Sequence, residues 1–310
     1  MILKYIGRRF VNLIPVLIIL TLGVFLLMYL TPGDPALMRL AASGATITPE
    51  ILEAMREEMG LNRGFFERYF DWILGVLQGD FGNSYLDDQA VLPKLMAALK
   101  NTLTLASFCV VFSSVLAIPL GIYTAINKDK WADNIARVFT FAGNAMPNFL
   151  IALLLMYFFC VKARLFPVIA KGDIKGLFLP MLSLSIPMIS KFARQTRADV
   201  INQLDDEYVI GMHARGVKQR TILYMNVLHN ALGSILTIIC LQIRVLIGGS
   251  VITEVIFRWP GIGSMMMDAI SGRDYPIVQG AVLVLSILQI SVNLFNDVMY
   301  CVIDRRISLE

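Results

Sequence analysis

The stretch DDEYVIGMHARGVKQR, from Asp205 to Arg220, decides the fold because it is charged while the segments on both sides of it are apolar enough for lipid. It carries three acids, three bases and one of the two histidines in the chain. Two glycines interrupt an otherwise helical sequence. The stretch therefore indicates a polar, helical segment displayed between two spans of a membrane protein.

The composition of the whole chain favours the same class of protein. Of 310 residues, 57% are hydrophobic and 16% are charged, and the mean hydropathy is +0.68, which argues against a soluble domain. A helix needs about 20 apolar residues to cross a bilayer core. Six runs reach or approach that length: Phe10 to Leu30, Asn101 to Asn127, Val138 to Val161, Gly176 to Arg197, Thr221 to Thr253 and Tyr275 to Ile303. We predict an all-α membrane protein with six transmembrane helices.

These helices divide the chain into regions. Residues 1–30 hold the N-terminus and the first helix, residues 31–100 form a loop, and residues 101–303 form a core of five further helices. The charged segment, residues 199–228, belongs to that core, and residues 304–310 are a tail. The sequence LTPGDP follows the first run, where a signal peptide would have a cleavage site of small residues. We therefore expect the first helix to be retained.

The orientation of the helices follows from the basic loops, because short loops rich in lysine and arginine stay in the cytoplasm. Four basic clusters fall on one side of six helices: Lys4, Arg8 and Arg9; Lys128, Lys130 and Arg137; Arg194, Arg197, Arg215, Lys218 and Arg220; Arg305 and Arg306. Both termini and the charged segment are therefore predicted to be cytoplasmic. One basic loop opposes this assignment, since it would be external: Lys162, Arg164, Lys171 and Lys175.

The loop of residues 31–100 is predicted to be an ordered external cap. In TPEILEAMREEMGL, Thr48 is a candidate N-cap, Pro49 stands at the first helical position and Gly60 ends the helix. In FFERYFDWILGVLQGDFG, aromatic and charged residues alternate as in a helix that lies at a membrane interface. Such a cap is expected to contact another protein.

The sequence lacks the motifs of a nucleotide-binding P-loop and of a zinc metalloprotease. No lysine is followed by Ser or Thr, as a P-loop requires, and neither His213 nor His229 belongs to an H-E-x-x-H motif. We therefore predict that the chain is not an enzyme and holds no metal or other cofactor. Four cysteines lie inside apolar runs and are predicted to be core residues: Cys109, Cys160, Cys240 and Cys301. The net charge of +4 suits a membrane protein and gives no reason to expect nucleic-acid binding.

The charged stretch can be a solvated loop, a surface amphipathic helix or an extension of the neighbouring spans. Apolar residues recur in it with helical spacing: Val209, Ile210, Met212, Val217 and Ile222. A solvated loop has no need of this one-sided apolar face, and the glycines allow another backbone to approach closely. We predict a helix whose apolar face is offered to a partner protein.

The segment EYVIGMHARGVKQRTILYMNVLHNAL resembles the permease subunits of bacterial ABC importers of the dipeptide, oligopeptide and nickel family. Further landmarks of that family follow in order along nearly the whole chain: RRF at Arg8 to Phe10, TPGDP at Thr31 to Pro35, GDFGNSY at Gly79 to Tyr85, IPLGI at Ile118 to Ile122, MPNF at Met146 to Phe149, ITEVIFRWPGIG at Ile252 to Gly263, RDYPIVQG at Arg273 to Gly280 and the ending VIDRRI. These motifs most closely resemble those of the first of the two permeases, of nickel or peptide type.

This resemblance implies a type I importer architecture in a bacterial inner membrane, with a second homologous permease, two cytoplasmic ATPases that bind ATP and Mg²⁺, and an external solute-binding protein. The charged stretch would be the coupling helix that docks on an ATPase, through Glu207, Tyr208, Gly211, Met212, Ala214, Arg215, Gly216 and Val217. Contact with the binding protein would fall on Asp34, Asp80, Gly82, Trp259, Pro260 and Asp274.

The sequence also departs from the pattern of the family. Ile210, Gly211 and Met212 stand where small residues are usual, and His229 replaces a proline. Arg244 replaces a small residue, and Arg305 replaces a proline near the end. The departures in the docking motif bear on which ATPase is the partner.

Polar residues inside the predicted helices are candidates for a translocation path. A charge at bilayer depth costs at least about 2.5 kcal/mol, so Arg244 is expected either to attract a carboxylate or anionic chelate in the path, or to pair with Asp297 or Glu254. Amide side chains can line the same path or form hydrogen bonds between helices. The candidates are Asn144, Asn148 and Gln242, with Gln289 and Asn293 as further amides.

The predicted function is that of the membrane subunit of an ATP-driven importer. Its cargo is expected to be nickel, as a chelate, or di- and oligopeptides. The alternatives are a self-sufficient secondary carrier or channel that needs no ATP, and a purely structural role. Secondary carriers often contain internal repeats, and no such repeat is evident in this sequence.

Overall fold

The computed structural model describes the backbone of residues 2–44 and 46–303 and the side chains of residues 13–44, 46–231 and 233–299. Within those ranges the chain is helical and contains no named β-strand, only one bridge between Asn83 and Ala90. Some predictions fall outside the described side chains: those on Lys4, Arg8, Arg9, Cys301, Arg305, Arg306 and the tail of residues 304–310.

The helices follow one another along the chain, with longer connections at residues 78–90 and 163–173. Their bounds are α1 Ile2–Leu30, α2 Pro35–Ser43, α3 Pro49–Glu58, α4 Phe65–Leu77, α5 Val91–Ile126, α6 Trp131–Ala145, α7 Asn148–Leu155, α8 Ile174–Leu204, α9 Glu207–Ala214, α10 Gln219–Thr221, α11 Leu228–Phe257, α12 Ile262–Gly272 and α13 Tyr275–Ile303. Two π-helical segments extend this set: Met156–Lys162 after α7, and Ile222–Val227 between α10 and α11.

Five helices are long and apolar enough to cross a membrane, namely α1, α5, α8, α11 and α13. The sixth candidate is a bent pair, in which α6 and the helix that begins with α7 differ in direction by 101°. The prediction of one continuous span from Val138 to Val161 is therefore wrong. Pro147 disfavours helical backbone at Met146, whose ψ is 129°. The all-α membrane fold is confirmed, with five candidate spans and one bent pair.

The second span begins well before Asn101, where the apolar run predicted its start. α5 starts at Val91 because Val91, Leu95 and Ala98 lie on one face and are buried. Lysines at positions 94 and 100 interrupt the apolar run without interrupting the helix. A lysine stem can lie along apolar surface while its ammonium stays in water.

The chain divides into two compact units. One consists of the described residues up to Thr102 together with Pro260–Ser291. Its buried cluster contains Val91, Leu95, Ala98, Ile262, Ala269, Ile277, Val278 and Ala281. The other consists of Leu103–Trp259 and the described residues from Val292 onward. Its largest buried cluster includes Leu105, Cys109, Leu177, Leu184, Phe192, Leu246 and Trp259.

The predicted external cap is helical, as the sequence indicated. The Thr48 hydroxyl accepts a hydrogen bond of 3.4 Å from the backbone N–H of Ile51, and Pro49 opens α3. Gly60 has a φ of +64° just after the helix, so the predicted cap and stop are confirmed. α4 packs its aromatic face on α1, where Phe25 lies edge-on to Tyr69 with 5.3 Å between ring centroids.

Candidate functional site

α9 lies at the centre of the charged stretch and has defined caps at both ends. The Asp206 carboxylate accepts a hydrogen bond of 2.8 Å from the first N–H of the helix. At the other end, Val217 N donates to Met212 O at 3.1 Å, and Gly216 N donates to His213 O at 3.0 Å. These two bonds form a Schellman turn. Gly216 has a φ of +74°, which glycine adopts without a Cβ penalty.

The apolar side of α9 faces its own protein. Val209 is 3% exposed, and Tyr208, Met212 and Val217 pack beside it. They join a buried cluster built from the ends of α5, α8 and α11 and the π-helical segment: Ala125, Val200, Ile222, Leu223, Val227, Ala231 and Ile235. Of the apolar residues predicted to face a partner, Val209, Met212 and Val217 therefore pack against the protein itself, and Ile210 is exposed. Helical periodicity marks a face that becomes buried, but it does not say which surface buries it.

The opposite side of α9 is exposed, and we call it the docking surface. Its members are Glu207, Ile210, Gly211, His213, Ala214, Arg215 and Gly216. Ile210 is 64% exposed and is the one large aliphatic side chain among them. A Cβ added at Gly211 or Gly216 would meet no heavy atom within 4 Å. A partner's backbone can therefore approach this surface closely.

Polar contacts hold the start of α9 to neighbouring elements. The Lys128 ammonium lies 3.6 Å from the Asp205 carboxylate, which joins the turn after α5 to the turn before α9. The Tyr208 hydroxyl donates to the Gln203 side-chain oxygen at 3.1 Å. The ion pair is exposed and contributes little by itself. The apolar cluster therefore supplies most of the attachment of α9.

A second candidate site lies between α7, α8 and α11. It is a cavity of about 40 Å³, with room for one or a few water molecules. Its lining consists of Asn148, Leu184, Pro187, Met188, Lys191, Gln242, Val245, Leu246 and Gly249. Asn148 and Gln242, two of the residues predicted for the translocation path, are thus brought together. Lys191 adds a cation that was not predicted for this site, although its position inside an apolar helix could have signalled it.

Two other candidates for the path lie outside this cavity. Asn144 is half-buried on α6, and Arg244 is exposed on α11. Arg244 forms no ion pair with any side chain that the structure describes. Glu254, one suggested partner, is fully buried and accepts a hydrogen bond of 3.2 Å from Ser250 Oγ. Among the described side chains, the geometry therefore gives no support to a pairing of Arg244 with Glu254.

Three sequence landmarks meet in the unit that contains the predicted external cap. Asp274, from RDYPIVQG, is 1% exposed and accepts hydrogen bonds from Ser84 Oγ and, at 3.0 Å, from Tyr85 N, both in GDFGNSY. A Cβ added at Gly33, from TPGDP, would lie 2.5 Å from Arg273 Nε. The three landmarks, which are far apart in sequence, therefore contact one another in the folded unit.

The residues predicted to contact a binding protein differ in exposure. Asp80, Gly82 and Pro260 are exposed, while Trp259 and Asp274 are each 1% exposed. Trp259 and Asp274 are therefore too buried to form part of a contact surface themselves. The remaining candidate, Asp34, is half-buried, caps α2 through the N–H of Ala36 at 3.0 Å and pairs with Arg56 at 2.7 Å.

One carboxylate of the cap has a shifted pKa. Partial burial raises the pKa of Asp87, but hydrogen bonds from the Lys94 ammonium and the backbone N–H of Gln89 outweigh it and hold the pKa below its usual value. The Asp87 side chain is 46% exposed, so solvent screens this interaction.

Cysteine and other metal-binding side chains show no clustering in the described ranges. Cys109, Cys160 and Cys240 are buried and free. No group of three or more His, Cys, Asp or Glu side chains there has the arrangement of a metal site.

Known proteins match this chain along almost all its length. Residues 117–309 match the family model described as "Binding-protein-dependent transport system inner membrane component", and residues 2–106 match the model "Binding-prot-dependent transport system membrane comp, N-term". The chain is 31% identical over 302 residues to the glutathione transport system permease protein GsiC of Escherichia coli K12. The aligned residues cover 97% of this chain and 98% of the relative. It is 32% identical, with the same coverage, to GsiC of Salmonella typhimurium.

Proposed function

Because this chain belongs to the family of inner membrane components of binding-protein-dependent transport systems, we propose that it imports short peptides as one of two homologous permeases of an ABC importer. The permease itself is a multi-pass inner membrane protein and is not catalytic. In this proposal two ATPase subunits bind ATP and Mg²⁺ on the cytoplasmic side, where both termini also lie. A solute-binding protein delivers cargo to the opposite side.

The exposed docking surface of α9 is the observation that carries the proposal. It combines small residues, two open glycine positions and one exposed aliphatic side chain, Ile210. A helix held by its other face in the permease core can enter a groove of a partner without losing its own support. We propose that the ATPase groove receives Ile210, Gly211, Ala214 and Gly216. The packing of Tyr208, Met212 and Val217 supports a positioning role for these three residues.

Substitution of one exposed alanine tests the docking surface. Ala214→Glu should reduce copurification of the ATPases at least about tenfold. A buried, unpaired carboxylate should weaken binding by more than about 1.4 kcal/mol, which corresponds to a tenfold loss of affinity. Ala214→Ser, which keeps the residue small, is the matched control and should copurify normally. Membrane insertion should be equal for both variants. Normal association of Ala214→Glu with the ATPases would refute docking on this face.

The proposed cargo is a short peptide with a free carboxylate. The relatives named above are glutathione permeases, and glutathione is a tripeptide with two carboxylates. The cavity lined by Lys191, Asn148 and Gln242 offers an ammonium and two amides, groups that can bind a carboxylate by charge-assisted hydrogen bonds. At about 40 Å³ the cavity is too small for a tripeptide, so cargo would pass it only in a more open state.

Transport by the reconstituted importer distinguishes the possible cargoes. Proteoliposomes that contain both permeases, the ATPases and the binding protein should take up labelled glutathione or dipeptides when ATP is present. Uptake of a nickel chelate in place of peptides would assign the nickel alternative. Uptake by this chain alone without ATP would instead identify a self-sufficient carrier, and the importer proposal would be abandoned.

A further inference from the structure

A groove between α6 and α8 remains outside the sites described so far. Its volume is about 730 Å³, within the range of about 300–1,000 Å³ that is typical of small-molecule sites. Its lining comprises Leu120 and Thr124 of α5; Asp133, Asn134, Ala136, Arg137, Val138, Thr140, Phe141 and Ala142 of α6; and Ala193, Arg194 and Arg197 of α8. Charged side chains are thus combined with apolar walls.

The two helices that form the groove are held together at two points. Near the end of α6, a Cβ at Gly143 would collide with the Ser190 hydroxyl, so the backbones are very close there. Near the start of α6, the Arg197 side chain of α8 reaches Asp133. Its Nε and Nη2 each lie 2.7 Å from a carboxylate oxygen of Asp133. The groove therefore lies beside two helices that contact each other near both ends of α6.

The groove has an excess of positive charge. Three guanidinium groups line it against one carboxylate. Arg197 uses two of its five N–H donors on Asp133. Arg194 is exposed and forms no ion pair with a side chain in the described ranges. Arg137 lies 3.5 Å from the Asp129 carboxylate and 3.6 Å from that of Asp133, so it is partly neutralised. The charge of Arg194 and the unused N–H donors of Arg197 therefore remain available for an anionic ligand.

The outer surface of α6 indicates the surroundings of the groove. Trp131 is 74% exposed, and Val138, Phe139 and Phe141 are each exposed by about 70%. Tryptophan is enriched where a membrane helix meets the headgroup layer, so we expect the arginines near the start of α6 to lie at headgroup depth. The apolar residues of the groove, including Leu120, Phe141 and Ala142, then extend towards the acyl chains.

We propose that this groove is a binding site for an anionic phospholipid. The phosphate would accept hydrogen bonds from Arg194, Arg137 and the free donors of Arg197, and an acyl chain would lie along the apolar wall. Basic pockets between transmembrane helices bind anionic headgroups in this way. A helix of another protein fits less well, since it would have to bury the three guanidinium groups or supply several carboxylates.

Native mass spectrometry of the purified importer tests this site. The complex is incubated with phosphatidylglycerol or phosphatidylcholine, and bound lipid is counted for wild type and for Arg137→Gln/Arg194→Gln. We expect wild type to retain phosphatidylglycerol selectively and the double variant to bind it about tenfold more weakly. Arg220→Gln removes an exposed charge that does not line the groove and should bind like wild type.

A second variant and a crosslink keep the result interpretable. Arg194→Gln alone removes a side chain with no ion pair in the described chain, so it should assemble even if the double variant does not, and it should show a smaller loss in the same direction. A photoreactive residue at Phe141 should crosslink to lipid. Equal binding of both lipids, no loss in either variant, or a crosslink to the second permease in place of lipid would overturn the proposal.

Discussion

Arg197 on α8 clasps Asp133 on α6 through two hydrogen bonds of 2.7 Å, one to each carboxylate oxygen. The Asp133 side chain is fully buried, and its second oxygen also accepts the backbone N–H of Asp129 at 3.0 Å. Bidentate pairing of this kind fixes the distance and the angle between two helices. It holds α6 against α8 although α6 is bent sharply away from the helix that follows it.

Loss of one partner of this pair should destabilise the protein strongly. Asp133→Asn leaves the Arg197 guanidinium without its counter-charge, and such a change typically costs about 3–5 kcal/mol. Asp129→Asn is the control, since Asp129 is exposed and lies 3.5 Å from Arg137, and it should cost less than about 1 kcal/mol. The free energy of unfolding in detergent is the measurement. Equal losses in the two variants would contradict a structural role for the pair.

Two glycines of the docking surface should respond in opposite directions to alanine. Gly216→Ala places a Cβ at a φ of +74° and should cost about 1–2 kcal/mol. Gly211→Ala lies within α9, where the added Cβ meets open space, and should stabilise the helix by about 0.5–1 kcal/mol. Unfolding of the purified permease measures both effects. Stabilisation by Gly216→Ala would show that the Schellman turn is absent in solution.

The Asp274 carboxylate should control the order of the GDFGNSY segment. Asp274→Ala leaves the Ser84 hydroxyl and the Tyr85 N–H without their acceptor in a buried place, at a cost of about 1–3 kcal/mol each. Amide hydrogen exchange at Tyr85 should accelerate, while exchange within α3 should not change. Asp80→Ala, at an exposed position of the same loop, serves as the control. Unchanged protection of Tyr85 in Asp274→Ala would argue against the link.

The Asp87–Lys94 pair should make the cap sensitive to acid. Because the pKa of Asp87 is lowered in the folded state, its contribution is present above the unfolded pKa of about 3.9 and is lost as the pH falls through the lower, folded value. The melting temperature of wild type should therefore fall more between about pH 5 and pH 3 than the melting temperature of Asp87→Asn. Parallel pH profiles for the two proteins would show that the pair has no net effect.

The sequence predicts the elements of this fold better than the contacts between them. Uncharged runs identify α1 and α13, and the Thr48-Pro49 start of α3 is a local signal that the structure reproduces. The break after Ala145 was missed because the residues on both sides of it are apolar, although Pro147 marks the place.

The candidate sites could be predicted only in part, for a physical reason. The position of α9 follows from local sequence, but the direction of its apolar face depends on the ends of three distant helices. Asp133 and Arg197 are 64 residues apart, and Ser84 and Asp274 are 190 apart. No local pattern encodes such pairs. Lys191 and Gln242 likewise meet only after their helices have packed.

The burial of Val209 gives α9 a mechanical property. Its apolar residues are embedded among the ends of α5, α8 and α11, and close-packed interiors have low compressibility and transmit strain. A load applied to the exposed Ile210 would therefore reach all three helices together, with no slack loop to absorb it. α9 is thus attached to the three helices by packed side chains as well as by the chain itself, so a displacement of α9 would displace their ends.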